Sequence, residues 1–352
     1  MSVSFESYIL FFISIIFHIL LYLMVIKYSS KFRFATYKSP QKIHSGYIPR
    51  IGGLFIVSSF LINSLSLNLF GDYNTLNLSI LSASIILMLG SLKEDLFLNS
   101  SYKLRLILII CSALFFSINE EKLPDIFLNN TNIFFDIIFL KIIFYSFCIV
   151  IVINGMNFID GANGLASFTS LSVLLSLLYI DIFFGNSQFS YVIILLIISL
   201  SIFIIFNFPL GLIFLGDTGA YWLGLIISIL TIKIFNVYYY LSPWLAIIIL
   251  IYPSIEIFFS FVRKLINKES PFMPDVKHLH MMLFLKLRKN RSVSNRFSSL
   301  VTCILFPLWL LPFAYIFIIL NNNQSKILIL FFAILHITLY FIFFIIIKKI
   351  KN

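Results

Sequence analysis

Charge is what this sequence has least of. Only 11% of its 352 residues are Asp, Glu, Lys or Arg, where soluble domains carry roughly 25%, so an ordinary water-soluble domain is excluded. Cysteine is scarce as well. Cys111, Cys148 and Cys303 all fall inside apolar runs, which excludes a disulfide framework and a thiolate metal site. The chain has no Walker A sequence, no dinucleotide-binding glycine fingerprint, no internal repeat and no low-complexity segment. P-loop and Rossmann chemistry therefore find no support. No small-residue cleavage site follows the first apolar run, Tyr8 to Ile26, which is expected to stay as an anchor.

What the sequence does have is apolar length: 61% of it is hydrophobic. The runs are long and unbroken, as helices crossing a bilayer require, and lack the alternation of barrel strands. Spans of about 20 residues give an all-α, polytopic transmembrane helical bundle of about 11 spans, roughly 5–26, 51–70, 76–92, 104–119, 133–153, 165–184, 190–206, 219–235, 243–262, 300–320 and 327–347. The whole chain, 1–352, reads as one integral-membrane domain with loops 27–50, 93–103, 154–164, 207–218 and 263–299 on one side. That side holds Lys27, Lys31, Arg33, Lys38, Lys42, Arg50, Lys93, Lys103, Arg105, the run from Arg263 to Arg296, and Lys348, Lys349 and Lys351; the other holds little beyond Lys122 and Lys326. By the positive-inside rule the basic side is cytoplasmic, the N-terminus periplasmic and the C-terminus cytoplasmic. The net charge of +11 is thus largely topological, and it implies a lipid bilayer and anionic substrates rather than nucleic acid.

Polar residues are few enough that their clusters stand out. The segment from Val152 to Ala166 contains Asn154, Asn157, Asn163, Gly155, Gly161, Gly164 and Asp160 between two apolar runs. Unpaired amides and carboxylates are costly in hydrocarbon, so this island lies where water or a polar ligand reaches it. It reads either as a phosphate-binding elbow carrying one carboxylate or as a hydrated interhelical loop. Arg50, before Gly52-Gly53, is a topogenic charge or an anion contact. Glu94-Asp95 is an adjacent acid pair suited to a divalent cation or to acid–base work, or else a solvated loop. Asp217, between Gly216 and Gly219 at a helix entrance, suits a Mg²⁺ ligand or a helix N-cap. Glu256 lies inside a span two helical turns from Arg263, where packing or pairing accounts for it, and Pro253 is expected to kink that helix. His278 and His280 lack the i, i+4 spacing and thiolate company of a transition-metal pair; in a basic loop they read as hydrogen-bond donors to phosphate. His18 and His336 read as structural.

The loops bearing Glu94/Asp95, Asn154/Asn157/Asp160, Asp217 and Asp275/His278/His280 all fall on the cytoplasmic side of the span assignment. Together they describe one site at the membrane surface, suited to Mg²⁺-dependent phosphoryl transfer between a soluble nucleotide-activated donor and a lipid acceptor. A secondary transporter or lipid flippase is the competing class. Transporters place charges mid-membrane and often show duplicated halves, whereas here the acids sit at span ends.

The motifs in order also resemble a known family. Asn157-Phe158-Ile159-Asp160-Gly161-Ala162-Asn163-Gly164-Leu165 is similar to an N-x-x-D-G-x-[DN]-G-L motif, Phe214-Leu215-Gly216-Asp217-Thr218-Gly219 to F-[LM]-G-D-x-G, and His278-Leu279-His280 to a cytoplasmic H-[IL]-H loop. These belong to the polyprenyl-phosphate N-acetylhexosamine-1-phosphate transferases of glycosyltransferase family 4. The resemblance runs from Pro49 to His280 and implies a glycosyl-1-phosphotransferase in the bacterial inner membrane with its site facing the cytoplasm. Its implied reaction moves a HexNAc-1-phosphate from a UDP-N-acetylhexosamine to undecaprenyl phosphate and releases UMP, with Mg²⁺ (or Mn²⁺). It also implies the first membrane step of O-antigen, lipopolysaccharide or other cell-envelope polysaccharide synthesis, and a homodimer. By position, Asp217 holds the metal, and Asp95, Glu94 and Asp160 are the catalytic acids. Asn154, Asn157, Asn163, Arg50, His278 and His280 face the substrates. Glu94 stands in place of a first Asp, Asn163 in place of a second Asp of some members, and Met281 where a third His often is. The Pro274-Asp275-x-x-His-Leu-His sequence resembles the O-antigen-initiating branch more than the phospho-MurNAc-pentapeptide transferase branch. Direct attack and a covalent aspartyl intermediate are both compatible with these residues.

Overall fold

The computed structural model describes residues 5–28, 48–70, 78–97, 101–125, 127–128, 131–132, 137–185, 189–270, 277–288 and 295–349. They are helical almost throughout: α1 (Phe5–Tyr28), α2 (Gly52–Phe70), α3 (Leu78–Phe97), α4 (Tyr102–Asn119), α5 (Ile138–Ile159), α6 (Leu165–Phe183), α7 (Ser190–Asn207), α8 (Gly216–Val237), α9 (Trp244–Ile249), α10 (Ile251–Ile266), α11 (Leu279–Arg288), α12 (Asn295–Ile304), α13 (Phe306–Asn321) and α14 (Lys326–Lys349). The exception is a two-residue antiparallel pair, β1 (Phe127–Leu128) with β2 (Thr131–Asn132), between α4 and α5.

Among the described residues, seven helices are long and apolar enough to cross a membrane. Four of the eleven expected spans are not among these seven; in α1 and α2 the described apolar stretches cover only Phe12–Tyr28 and Gly52–Leu65. The last turn of α3 carries Lys93, Glu94 and Asp95, so charge dilutes an otherwise apolar helix. The expected span 243–262 is split: α9 ends at Ile249 and α10 starts at Ile251. Pro253 sits in the first turn of α10, where its missing N–H costs least, so the break precedes it.

Helix ends also differ from the expected loops. α5 runs on to Ile159, placing Asn154 and Asn157 on a helix, and α3 runs to Phe97, placing Glu94 and Asp95 on its last turn. Much of 263–299 is helical in α11 and α12. Asp275 lies outside the described residues.

α8 is the axis. Nearly every residue from Gly216 to Phe235 is buried, and α2, α3, α5 and α6 pack around it. In a bilayer, apolar burial drives helix association little, so close packing and interhelical hydrogen bonds hold the bundle, at about 0.6 kcal/mol per bond. Trp222 Nε1 donates to Ser84 Oγ at 3.1 Å, Ser112 Oγ to the Ala83 carbonyl at 2.7 Å, and Ser199 Oγ to Ser59 Oγ at 3.0 Å. His18 bonds the Ser14 carbonyl at 2.7 Å and Ser58 Oγ at 3.1 Å, the structural role expected of it. The outer faces of α1, α4, α5 and α14 expose large apolar side chains such as Phe12, Ile107, Phe139 and Ile327, as a lipid-facing surface requires.

Candidate active site

The first four N–H groups of a helix have no partner within it. At α8 two of them are met from outside: Asp95, on the last turn of α3, accepts the Asp217 N–H at 3.0 Å through Oδ1 and the Thr218 N–H at 2.8 Å through Oδ2. Asp95, not Asp217, is therefore the capping carboxylate of this helix. Gly216 makes the arrangement possible. Its φ is +77°, and a Cβ there would lie 2.8 Å from the Asp95 carboxylate.

Asp217 is released from capping and turns to two guanidiniums. Arg50 Nη2 donates to Oδ1 at 2.9 Å, and Arg105 Nη1, from the first turn of α4, donates to Oδ2. Arg50 also lies 3.9 Å from Asp95. The strand of chain carrying Arg50 is fixed to the segment before α8, with Phe214 N–H on the Pro49 carbonyl at 2.9 Å, Gly52 N–H on Phe214 O at 3.0 Å and Gly53 N–H on Leu215 O at 2.8 Å.

Asp160, just after α5, belongs to the same cluster. Burial pushes its carboxyl well above the usual carboxylate range; Arg50 opposes the shift, and Asp217 and Asp95 add to it. Its carboxylate accepts no hydrogen bond from the described residues. Glu94, half-buried on α3, acts electrostatically on both Arg50 and Arg105.

The histidine pair docks on the turn that follows Asp160. Gly161 lies against His280 Nε2, so that a Cβ would collide with the ring. The rings of His278 and His280 are parallel within 13° with centroids 5.9 Å apart, and Phe158 lies 4.9 Å from His278. Burial lowers the pKa of His280 to about 4, with Glu256 opposing the shift and His278 adding to it. His280 is thus neutral at pH 7.

The structure brings Arg50, Glu94, Asp95, Asp160, Asp217, His278 and His280 together. Two of the asparagines have other partners. Asn163 is buried, with its N–H on Ser298 Oγ at 2.8 Å and its carbonyl accepting from Thr302 Oγ1 at 2.7 Å, so it fastens the turn to α12. Asn154 Nδ2 donates to the Val150 carbonyl one turn back at 2.8 Å, and Asn157 is half-buried with its carbonyl taking the Asp160 N–H at 3.3 Å. Two residues escaped the sequence reading. Arg105 reads as a topogenic charge in sequence, and Glu256 pairs with His278 instead of Arg263. A charged residue inside an apolar run was the available signal for Glu256.

No group of three or more His, Cys, Asp or Glu side chains able to hold a metal by itself occurs among the described residues. Mg²⁺ needs only one or two carboxylates beside water and substrate phosphate. Asp217, whose oxygens also accept from Arg50 and Arg105, supplies one such hard carboxylate, so the donor chemistry fits.

A family model described as "Glycosyl transferase family 4" matches residues 77–235. The chain is 28% identical over 262 residues to the undecaprenyl-phosphate alpha-N-acetylglucosaminyl 1-phosphate transferase of Thermotoga maritima, covering 74% of this chain and 77% of that protein. It is 28% identical over 274 residues to the Bacillus subtilis protein named probable undecaprenyl-phosphate N-acetylglucosaminyl 1-phosphate transferase, covering 75% and 72%. The phospho-N-acetylmuramoyl-pentapeptide-transferase of Caldicellulosiruptor bescii is 27% identical over 184 residues, covering 50% and 57%.

Proposed function

Because the chain belongs to glycosyl transferase family 4 and is an enzyme of the glycosyl-1-phosphotransferase kind, we propose that it transfers a HexNAc-1-phosphate from a UDP-HexNAc to undecaprenyl phosphate. In this reaction an oxygen of the lipid phosphate attacks the donor's β-phosphorus, the bond from that phosphorus to the bridging oxygen breaks, and UMP leaves. The product is undecaprenyl-diphospho-HexNAc, the first membrane step of an O-antigen or other cell-envelope polysaccharide. The site faces the cytoplasm in the bacterial inner membrane, where the basic loops lie.

The observation that carries this reading is the single cluster of Asp217, Asp160, Arg50 and Arg105 around a capped helix start, with the histidine pair against the Asp160–Gly161 turn. Asp217 would hold Mg²⁺, which when bound supplies charge neutralisation at the diphosphate. Arg50 and Arg105 stabilise the negative charge of the transferring phosphate. Asp160 is the acid–base group of this proposal: its carboxyl is held above the usual carboxylate range and accepts no hydrogen bond from the described residues, as suits a base that takes a proton from the lipid phosphate. Asp95 is a poor nucleophile in this setting, with both oxygens bound by backbone N–H groups, which favours direct in-line attack over an Asp95 covalent intermediate. Glu94 tunes the field of the two arginines. His278 and His280 close the diphosphate side, and Asn157 lines the nucleotide side.

The test is UMP release by purified protein given Mg²⁺, undecaprenyl phosphate and a panel of UDP-GlcNAc, UDP-GalNAc and related donors. Release with at least one donor, dependent on both the lipid and Mg²⁺, is the expected result; no release with any of them sinks the proposal.

A further inference from the structure

Glu256 is an acid that the reaction just described does not use, yet it is 1% exposed and fully engaged. Its Oε1 lies 3.1 Å from His278 Nδ1 and accepts the Leu279 N–H at 3.3 Å; its Oε2 accepts the Tyr340 hydroxyl at 2.8 Å. One carboxylate on α10 therefore ties together the start of α11, which carries the histidine pair, and α14. A buried carboxylate is expensive unless it does something specific. Fastening helices needs no ionisable group, since hydroxyls do so elsewhere in this bundle.

We propose that Glu256 is a positioning residue for His278, holding its Nδ1 proton and ring plane so that Nε2 faces the diphosphate of the sugar-nucleotide donor. The proton assignment follows from the partners. Ionised Glu256 can only accept, so Oε1 takes both the Leu279 N–H and the imidazole hydrogen, and Nδ1 carries the proton. That leaves Nε2, which has no hydrogen-bond partner among the described residues, as the nitrogen turned to a ligand. Against a phosphate, the imidazolium form donates through Nε2–H while Glu256 balances its charge from behind. Phe158 at 4.9 Å and the parallel His280 ring at 5.9 Å limit rotation of the same ring. This inference rests on the transferase reading for the identity of the ligand, and on geometry alone for the proton.

The experiment is a double-mutant cycle on the full chain: wild type, Glu256→Gln, His278→Asn and the double variant. It is read by the KM for UDP-GlcNAc (or whichever donor turns over), by kcat, and by UMP binding. A hydrogen bond to a charged group lost at the site predicts that Glu256→Gln raises KM and weakens UMP binding about tenfold with a smaller change in kcat. In the His278→Asn background the same change shifts KM by less than about twofold, because the two residues act as one unit. Equal effects of Glu256→Gln in both backgrounds, or an unchanged KM with a loss of folded protein only, overturn the proposal. Should the Gln variant fail to accumulate, Glu256→Asp takes its place in the cycle. The proton is read without turnover by ¹⁵N chemical shifts of the imidazoles, with His278 assigned from its Asn variant. An Nδ1–H signal that disappears in Glu256→Gln supports the role; an Nε2–H tautomer in wild-type protein overturns it. A wild-type chain that releases no UMP sinks the transferase reading instead, and the ¹⁵N result still decides the positioning role.

Discussion

Asp95 and Asp217 are joined through the backbone and not through their side chains. Asp95 Oδ1 accepts the Asp217 N–H at 3.0 Å, while the Asp217 carboxylate turns away to Arg50 and Arg105. One acid builds the start of α8, and the other is thereby presented to the cluster. Replacing Asp95 with Ala removes a charged cap and leaves buried N–H groups unmet, an expected loss of about 1–3 kcal/mol. Thermal unfolding in detergent should show a lower Tm together with lost UMP release. An unchanged Tm would contradict the capping role.

Asp160 sets a pH dependence with a defined sign. Its carboxyl is raised by burial and by its acidic neighbours, and the base role needs the ionised form. As pH falls through that raised pKa, kcat/KM is expected to drop at a pH above the ordinary carboxylate value of about 4. Asp160→Asn should abolish turnover while leaving the fold intact. An acidic limb centred near pH 4, or an active Asn variant, would remove Asp160 from acid–base duty.

Gly161 tests the docking of the histidine pair without touching an ionisable group. A Cβ at this position collides with His280 Nε2, and overpacking of this kind costs about 1–3 kcal/mol or moves the ring. Gly161→Ala is expected to reduce UMP release at least about tenfold. Wild-type kinetics in this variant would show that the ring is free to move aside.

His280 links stability to pH. Its folded pKa of about 4 lies below the free value of about 6.5, so the folded chain prefers the neutral ring. That contribution, at most roughly 3 kcal/mol, is fully present above pH 6.5 and is lost as pH falls toward 4. Unfolding scans across this window should show a falling Tm that His280→Gln flattens. Parallel curves for the two proteins would contradict the burial.

The acidic cluster was legible in the sequence because charge is so rare there: Glu94, Asp95, Asp160 and Asp217 stand out against apolar runs and at span ends. Their division of labour was not legible. Nothing in the string Gly216-Asp217-Thr218 says that a carboxylate 122 residues earlier supplies the cap, so Asp217 read equally as cap and ligand. Asn163 reads as part of a binding motif, yet it meets Ser298 and Thr302, partners that only tertiary packing brings near. Arg105 reads as a topogenic charge because a basic residue at a helix start suits the positive-inside rule. The helical character was plain throughout, but the ends of α3 and α5 were not. Polar residues near their ends mimic loop composition, although Asp95 is satisfied by α8 and Asn154 within α5 itself.

The most direct test of this account is UMP release by wild-type and Asp217→Asn protein side by side, with Mg²⁺, undecaprenyl phosphate and a UDP-HexNAc. Lipid-dependent release by the wild type, with a loss of about a thousandfold or more in a folded Asp217→Asn variant, is the predicted result. Undiminished release by that variant would contradict the account.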